Sequence, residues 1–233
     1  MESWVGMSTK PLEKLYMKGL KALLGVRHST VNMLCLLESG IPPVQSMINN
    51  AQAKFFTKMM YRTELADDPL GHVLRLVERE DPTMWRNIQN VMSINDHVKS
   101  AQDQLKESAQ SDPRSRVVTY CHLNPGHLVH HLYTQSQHYI PDSLRISFTR
   151  LRLSSHRLRI ELGRWSNTPR DARLCNCGSV QDEEHILKCV ENEEILKSFT
   201  YDDAHLGLKQ LFTKCRDSKH LNLLQKLTKN IEL

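Results

Sequence analysis

The sequence predicts a mainly α-helical protein, with a bundle-like N-terminal region and a helical C-terminal region built around a small structural zinc module. Three observations support this. Apolar residues recur at the spacing of amphipathic helices, Asp-Pro and Pro-Pro dipeptides stand where such helices would begin, and a compact Cys/His pattern lies between residues 175 and 189.

At 233 residues and 39% hydrophobic content, the chain can bury one good core or two modest ones. Neither a signal-peptide core after Met1 nor an apolar run of about eighteen residues occurs, so a soluble intracellular protein with no membrane partner is expected. Six cysteines are too sparse for a disulfide scaffold, yet three of them (Cys175, Cys177, Cys189) fall within fifteen residues, which suits metal chemistry. The net charge of +5 is a mild basic excess whose placement matters more than its size.

Between Pro11 and Val26, Leu12, Leu15, Met17, Leu20, Leu23 and Leu24 recur at helical spacing, with lysines at 14, 18 and 21 on other faces and a stop near Gly25. Ser29 and Thr30 offer caps for a second short helix through Leu37 that ends at Gly40, and Pro42-Pro43 opens a third running to about Arg62. Its core face would include Val44, Ile48, Phe55 and Met59. Asp68-Pro69 and Asp81-Pro82 each start a further short helix, over 69–79 and 82–94, with Trp85 as a core anchor. From Asp96 to Ser115 the residues are polar, which predicts an exposed helix fraying into a linker and a division into regions 1–112 and 113–233.

Leu144 to Trp165 has the most regular helical pattern in the chain. On a single helix, Phe148, Leu151, Leu158, Leu162 and Trp165 form the core face. Arg145, Arg152 and Arg159 then stack seven apart in one row, and Arg150, Arg157 and Arg164 in another. Residues 142–173 hold eight arginines against three acidic residues, a local excess of five that equals the net charge of the whole chain. The guanidinium fork binds phosphate bidentately and stacks on bases, so these six arginines are the expected contacts for RNA or DNA. The plainer reading is a solvated helix whose arginines pair with acidic residues at 182–184 and 191–194.

Cys175-Asn-Cys177-Gly178, then His185 and Cys189, form a C-x-C-x7-H-x3-C pattern. Three thiolates and an imidazole suit tetrahedral zinc. Gly178 permits the tight turn that aims both first cysteines inward, and a helix starting at 182–184 would put His185 and Cys189 on one face. Four protein ligands leave no open position, so the ion of this 173–190 module is expected to be structural, tying the end of the arginine helix to the next helix.

Other features carry less. His127, His130 and His131, with Cys121 and His122 nearby, allow a second metal site on one helix face, against the blander reading of a partly exposed polar helix, and His138 follows in the same His-rich stretch. Cys35, Cys121 and Cys215 read as ordinary thiols, and Tyr201-Asp202-Asp203 as a turn. Residues 206–231 read as two short helices. No Gly-rich phosphate loop, nucleophile elbow or H-E-x-x-H pair appears, so neither a small-molecule substrate nor an enzymatic activity is expected.

The run Leu144-Arg-Ile-Ser-Phe-Thr-Arg-Leu-Arg-Leu-Ser-Ser-His-Arg-Leu-Arg-Ile-Glu-Leu-Gly-Arg-Trp165, followed by Arg173-Leu-Cys-Asn-Cys-Gly178 and Gln181-Asp-Glu-Glu-His-Ile-Leu-Lys-Cys189, resembles the end of non-LTR retrotransposon reverse transcriptases. Residues 12–32, with Leu37-Glu-Ser-Gly-Ile-Pro-Pro43, look like the helical region after the palm in these polyproteins, so the resemblance covers roughly residues 10–200. It implies a helical thumb or connection segment and then a Cys/His module that grips template RNA or target DNA, with Cys175, Cys177, His185 and Cys189 at the ligand positions. The palm, whose carboxylates hold two magnesium ions for nucleotidyl transfer, has no match here, and a start just before the thumb-like helix suggests truncation. The expectation is therefore a non-enzymatic nucleic-acid-binding fragment. The alternative is a helical protein-interaction module or an inactive transposon relic in which zinc is purely structural.

Overall fold

Side-chain caps and left-handed residues set the ends of most helices in this chain. The computed structural model describes residues 8–63, 68–130 and 141–193, together with Tyr133 and Lys226. Among them are nine α-helices: α1 (Lys10–Leu24), α2 (Asn32–Ser39), α3 (Val44–Thr63), α4 (Pro69–Glu80), α5 (Pro82–Met92), α6 (His97–Ser111), α7 (Ser115–Leu123), α8 (Asp142–Arg152) and α9 (Arg159–Trp165). Short 3-10 turns follow at Arg170–Ala172, His185–Leu187 and Val190–Asn192. The only β feature among the described residues is an isolated bridge between Leu174 and Val180, so the mainly α class holds.

The local rules work where capping residues carry them. Asp68 accepts a hydrogen bond from the backbone N–H of Leu70, and Asp81 from that of Met84, each at 2.9 Å, so α4 and α5 begin at their prolines as expected. Gly25 takes φ +68° after α1, and a Cβ there would lie 2.6 Å from Ile146, so both the backbone and its neighbour require glycine.

Contacts divide the chain into two units, one from Met1–Lys18 and Ile41–Glu107, the other from Gly19–Gly40 and Ser108–Leu233. In the first, α3, α4 and α5 close around Phe56, Met59, Leu74 and Ile88, with Trp85 packed against them. In the second, the buried apolar side chains include Leu24, Leu34, Tyr120, Phe148, Leu151 and Ile160 from α1, α2, α7, α8 and α9, with Leu153, Leu158 and Ile186 from the segments between and after the last two helices.

Four expectations need correction. Neither Ser29 nor Thr30 caps α2, since Val31 occupies that position and the Thr30 hydroxyl donates to Ser155 Oγ at 3.2 Å instead. Residues 96–115 do not fray into a linker: Asp96 accepts from the N–H groups of Val98 and Lys99, α6 runs to Ser111, and α7 starts at Ser115. His127 and His130 are not on an exposed helix but are buried beyond the end of α7, beside Tyr120 and Phe148 respectively. His131, His138, Tyr201-Asp202-Asp203, Cys215 and the segment 206–231, except Lys226, lie outside the described residues.

The fourth correction is the largest. Leu144–Trp165 is two helices, α8 and α9, separated by residues 153–158. Ser154 takes φ +48°, and the N–H of Ser155 donates to Arg150 O at 2.7 Å, closing α8. Ser154 Oγ donates to Glu183 at 2.9 Å, and His156 Nδ1 accepts the N–H of Leu158 at 3.2 Å. Short polar side chains that bond locally compete with the helical ladder, and here they interrupt it. The helical phase resets, so Ile160 turns inward while Leu162 and Trp165, expected in the core, are 39% and 49% exposed.

Candidate metal centre and arginine face

The metal cluster starts from a hairpin too short to be a sheet. Leu174 and Val180 bridge, the N–H of Cys175 donates to Ser179 O at 2.7 Å, and the N–H of Gly178 donates to Cys175 O at 2.9 Å. Gly178 supplies the φ of +88° that lets Cys175 and Cys177 face the same point. Asp182 Oδ1 accepts the N–H of His185 at 3.0 Å, and this fixes the 3-10 turn that presents the imidazole. Cys189 follows in extended conformation as the N-cap of the next 3-10 turn, so His185 and Cys189 do not share an α-helical face.

The ligand atoms of Cys175, Cys177, His185 and Cys189 all lie within 4.8 Å of one another, so the four can hold a metal ion. Cys175 Sγ is 3.7 Å and Cys177 Sγ 3.9 Å from Cys189 Sγ, while Cys177 Sγ is 3.3 Å from His185 Nε2. A tetrahedral ion with metal–sulfur bonds of about 2.3 Å sets its sulfurs about 3.8 Å apart, and the observed separations match that frame. Backbone N–H from Ser179 and the neighbouring sulfurs lower the pKa of the exposed Cys177 thiol, which favours the thiolate a metal needs. Cys175 and Cys189 are buried. Among the described residues no second group of this kind gathers, including around His127 and His130.

The cluster is tied to α9 by polar contacts. The N–H of Ile160 donates to Gln181 O at 3.1 Å, and that of Arg159 to Gln181 Oε1 at 3.0 Å. Glu183 accepts from Ser154 Oγ and His156 Nε2, each at 2.9 Å. Because His156 Nδ1 accepts a backbone N–H, its proton sits on Nε2. Burial would raise the Glu183 pKa, but the His156 and Ser154 hydrogen bonds outweigh it and hold the carboxyl down at about 2.

The six arginines expected on nucleic acid do not share one surface. Arg152 is 3% exposed and pairs bidentately with Glu38, from Nε at 2.6 Å and Nη2 at 2.9 Å, so it leaves the contact set. Tyr120 and Tyr133 also donate to Glu38, each at 3.0 Å, and together they surround the carboxylate with hydrogen bonds. Arg145 donates to Leu23 O and Asp142, and Arg150 to Gly25 O, so both help fix α1 against α8. Arg164 pairs with the fully buried Glu161, as does Arg116, and donates to Ser115 Oγ at 2.7 Å. Arg157 and Arg159 are exposed and form no side-chain ion pair among the described residues.

Sequence reasoning missed Arg27. It lies in the loop after α1, and its guanidinium sits 3.8 Å over the centre of the Trp165 ring. Burial first, then the neighbouring charges of Arg157, Arg150 and Arg116, lower its pKa, so four guanidinium groups crowd one region. Arg164 is likewise lowered by burial and by Arg116, Arg173 and Arg170. No sequence pattern links residue 27 to residue 165; only the tertiary fold does.

No family model matches this chain, and no curated protein or solved structure matches it either. Among the described residues no helix is long and apolar enough to cross a membrane.

Proposed function

We propose that this chain is a nucleic-acid-binding module held in shape by one structural zinc ion, with RNA or single-stranded DNA as partner and no catalytic step of its own. The observation that carries this is the Arg27 guanidinium stacked 3.8 Å over the half-exposed Trp165 at the end of α9, a helix that Gln181 ties to the segment bearing the four-ligand Cys/His cluster, with the charge of the exposed Arg157 felt at Arg27. Like charges held together repel, and a polyanion relieves that repulsion. Zinc suits the cluster because three thiolates and one imidazole at these separations complete its preferred tetrahedron, leaving no position for water or substrate. The resemblance to the post-palm region of non-LTR reverse transcriptases agrees with this reading.

The contact set differs from the one the helical wheel suggested. Arg157 and Arg159 carry it together with Arg27, whereas Arg164 is paired with Glu161, Arg170 with Asp182 and Arg152 with Glu38, and these three do not take part. A second reading, in which the arginines are architectural, is favoured by the internal bonds of Arg145, Arg150 and Arg152.

Metal content and binding of RNA and single-stranded DNA, measured between about 50 and 200 mM salt, separate the two. We expect one zinc per chain and an affinity that falls with salt at a log–log slope of about −2, as three phosphate contacts on a single strand would give. Arg157→Ala/Arg159→Ala should flatten that slope by about 1.4. Zinc without salt-dependent affinity would leave the architectural reading.

A further inference from the structure

We propose that the stacked Arg27–Trp165 pair is a base-stacking platform that makes the arginine face selective for single-stranded over duplex nucleic acid. This rests on the nucleic-acid reading above and adds the form of strand the site takes.

The pair is built rather than accidental. The backbone N–H of Arg27 donates to Ser155 Oγ at 3.0 Å, and that same hydroxyl receives the Thr30 hydroxyl, so the loop carrying the guanidinium is tied to the loop that separates α8 from α9. Trp165 closes α9, where the Arg173 guanidinium donates to Ile160 O at 2.9 Å and to Thr168 O at 2.7 and 2.8 Å, so the tail of the helix is held as well. Trp165 nevertheless keeps 49% of its surface exposed, the largest exposure of any aromatic residue in α8 or α9.

A large indole left half in solvent gives up hydrophobic stabilisation unless something covers it. The charges around it say what kind of partner that is. Arg27 lies over the ring itself, and the exposed Arg157, which forms no side-chain ion pair among the described residues, adds its charge at Arg27, so a ligand suited to this face is anionic as well as flat. A nucleobase with its phosphate meets both demands: the base lies on the indole or on the guanidinium plane above it, and the phosphate is met by Arg157. In a duplex each base is already stacked between its neighbours, so the platform finds a base only in a single strand.

The test uses the full chain, an oligo(dT) strand and a DNA duplex of the same length, about 12 nucleotides. Binding is followed by fluorescence anisotropy of the labelled nucleic acid. Wild type should bind the single strand more tightly than the duplex. Trp165→Ala should weaken single-strand binding roughly ten-fold or more while leaving duplex binding unchanged, and Trp165→Phe, which keeps a ring, should recover most of the loss. Equal affinity for the two forms, or a Trp165→Ala effect that is absent or the same on both, would overturn the platform while leaving the arginine face standing. No binding of either form would overturn both readings together.

Discussion

Arg152 shows how one pairing can override a surface pattern. On a helical wheel it belongs to an exposed row, yet Glu38 lies opposite it in the core, and a fully buried carboxylate without a cation would cost more than burying the guanidinium beside it. We expect Arg152→Ala to lower stability by about 3–5 kcal/mol, because it leaves the Glu38 charge buried and unpaired. Arg152→Met/Glu38→Leu should restore most of that loss, since the apolar pair removes both charges; urea midpoints of the three proteins give the comparison. A double variant as unstable as the single one would mean that the tyrosine hydrogen bonds, not the charge, hold the site. Cys35, in α2, makes a pH-dependent case. Burial, opposed by Lys21, raises its thiol from 9.0 to about 11. The folded state thus prefers the neutral thiol, so its stabilising effect is intact below pH 9 and is lost as pH rises toward 11. Wild type should lose stability over that interval more steeply than Cys35→Ala, and native Cys35 should resist alkylation at pH 8 where metal-free Cys177 reacts.

Elements divide into those announced by their ends and those defined by tertiary partners. Asp81 belongs to the first kind: its side chain caps α5 while its own N–H donates to Val77 O at 2.9 Å, closing α4. Asp81→Ala should cost about 1 kcal/mol, read from the shift in urea midpoint, and Asp81→Asn should cost much less because its amide oxygen still caps. Helices α1, α4 and α5 were legible because proline, aspartate and glycine act locally, through φ, a hydrogen bond or a left-handed residue. The four residues that can hold a metal ion were legible because ion chemistry fixes residue type and spacing whatever the backbone does. The 3-10 turns around them were not, since the ligands and Asp182 shape that segment and no periodicity marks it. The break at 153–158 was hidden for a related reason. Ser154, Ser155 and His156 are tolerable inside a helix, and only Glu183, Thr30 and the N–H of Arg27, all distant in sequence, draw them out of it. Once the helix breaks, the phase of everything after it changes, which is why Trp165 faces solvent.

At the scale of the whole molecule, two units with separate cores should respond differently to loss of metal. Structural zinc contributes an apparent 10–16 kcal/mol or so in small zinc peptides, about as much as the whole stability of an ordinary domain, so on the proposed zinc reading the segment cannot be expected to hold once the ion is removed. The segment 173–192 has little else: one isolated bridge, short 3-10 turns and few buried apolar residues, Ile186 among them. Its release would also free Gln181 from α9 and Glu183 from His156, so α9 should loosen with it. The α3–α5 core around Phe56 and Ile88 is built from residues of the other unit and is expected to keep its protection. Hydrogen exchange followed by mass spectrometry, before and after removal of metal with a chelator, should therefore show protection lost across 159–192 and kept across α3–α5. Cys177→Ser should reproduce that pattern without any chelator. Uniform loss along the chain would mean that the two units fold as one cooperative body, and unchanged exchange at 173–192 would mean that no metal holds the cluster.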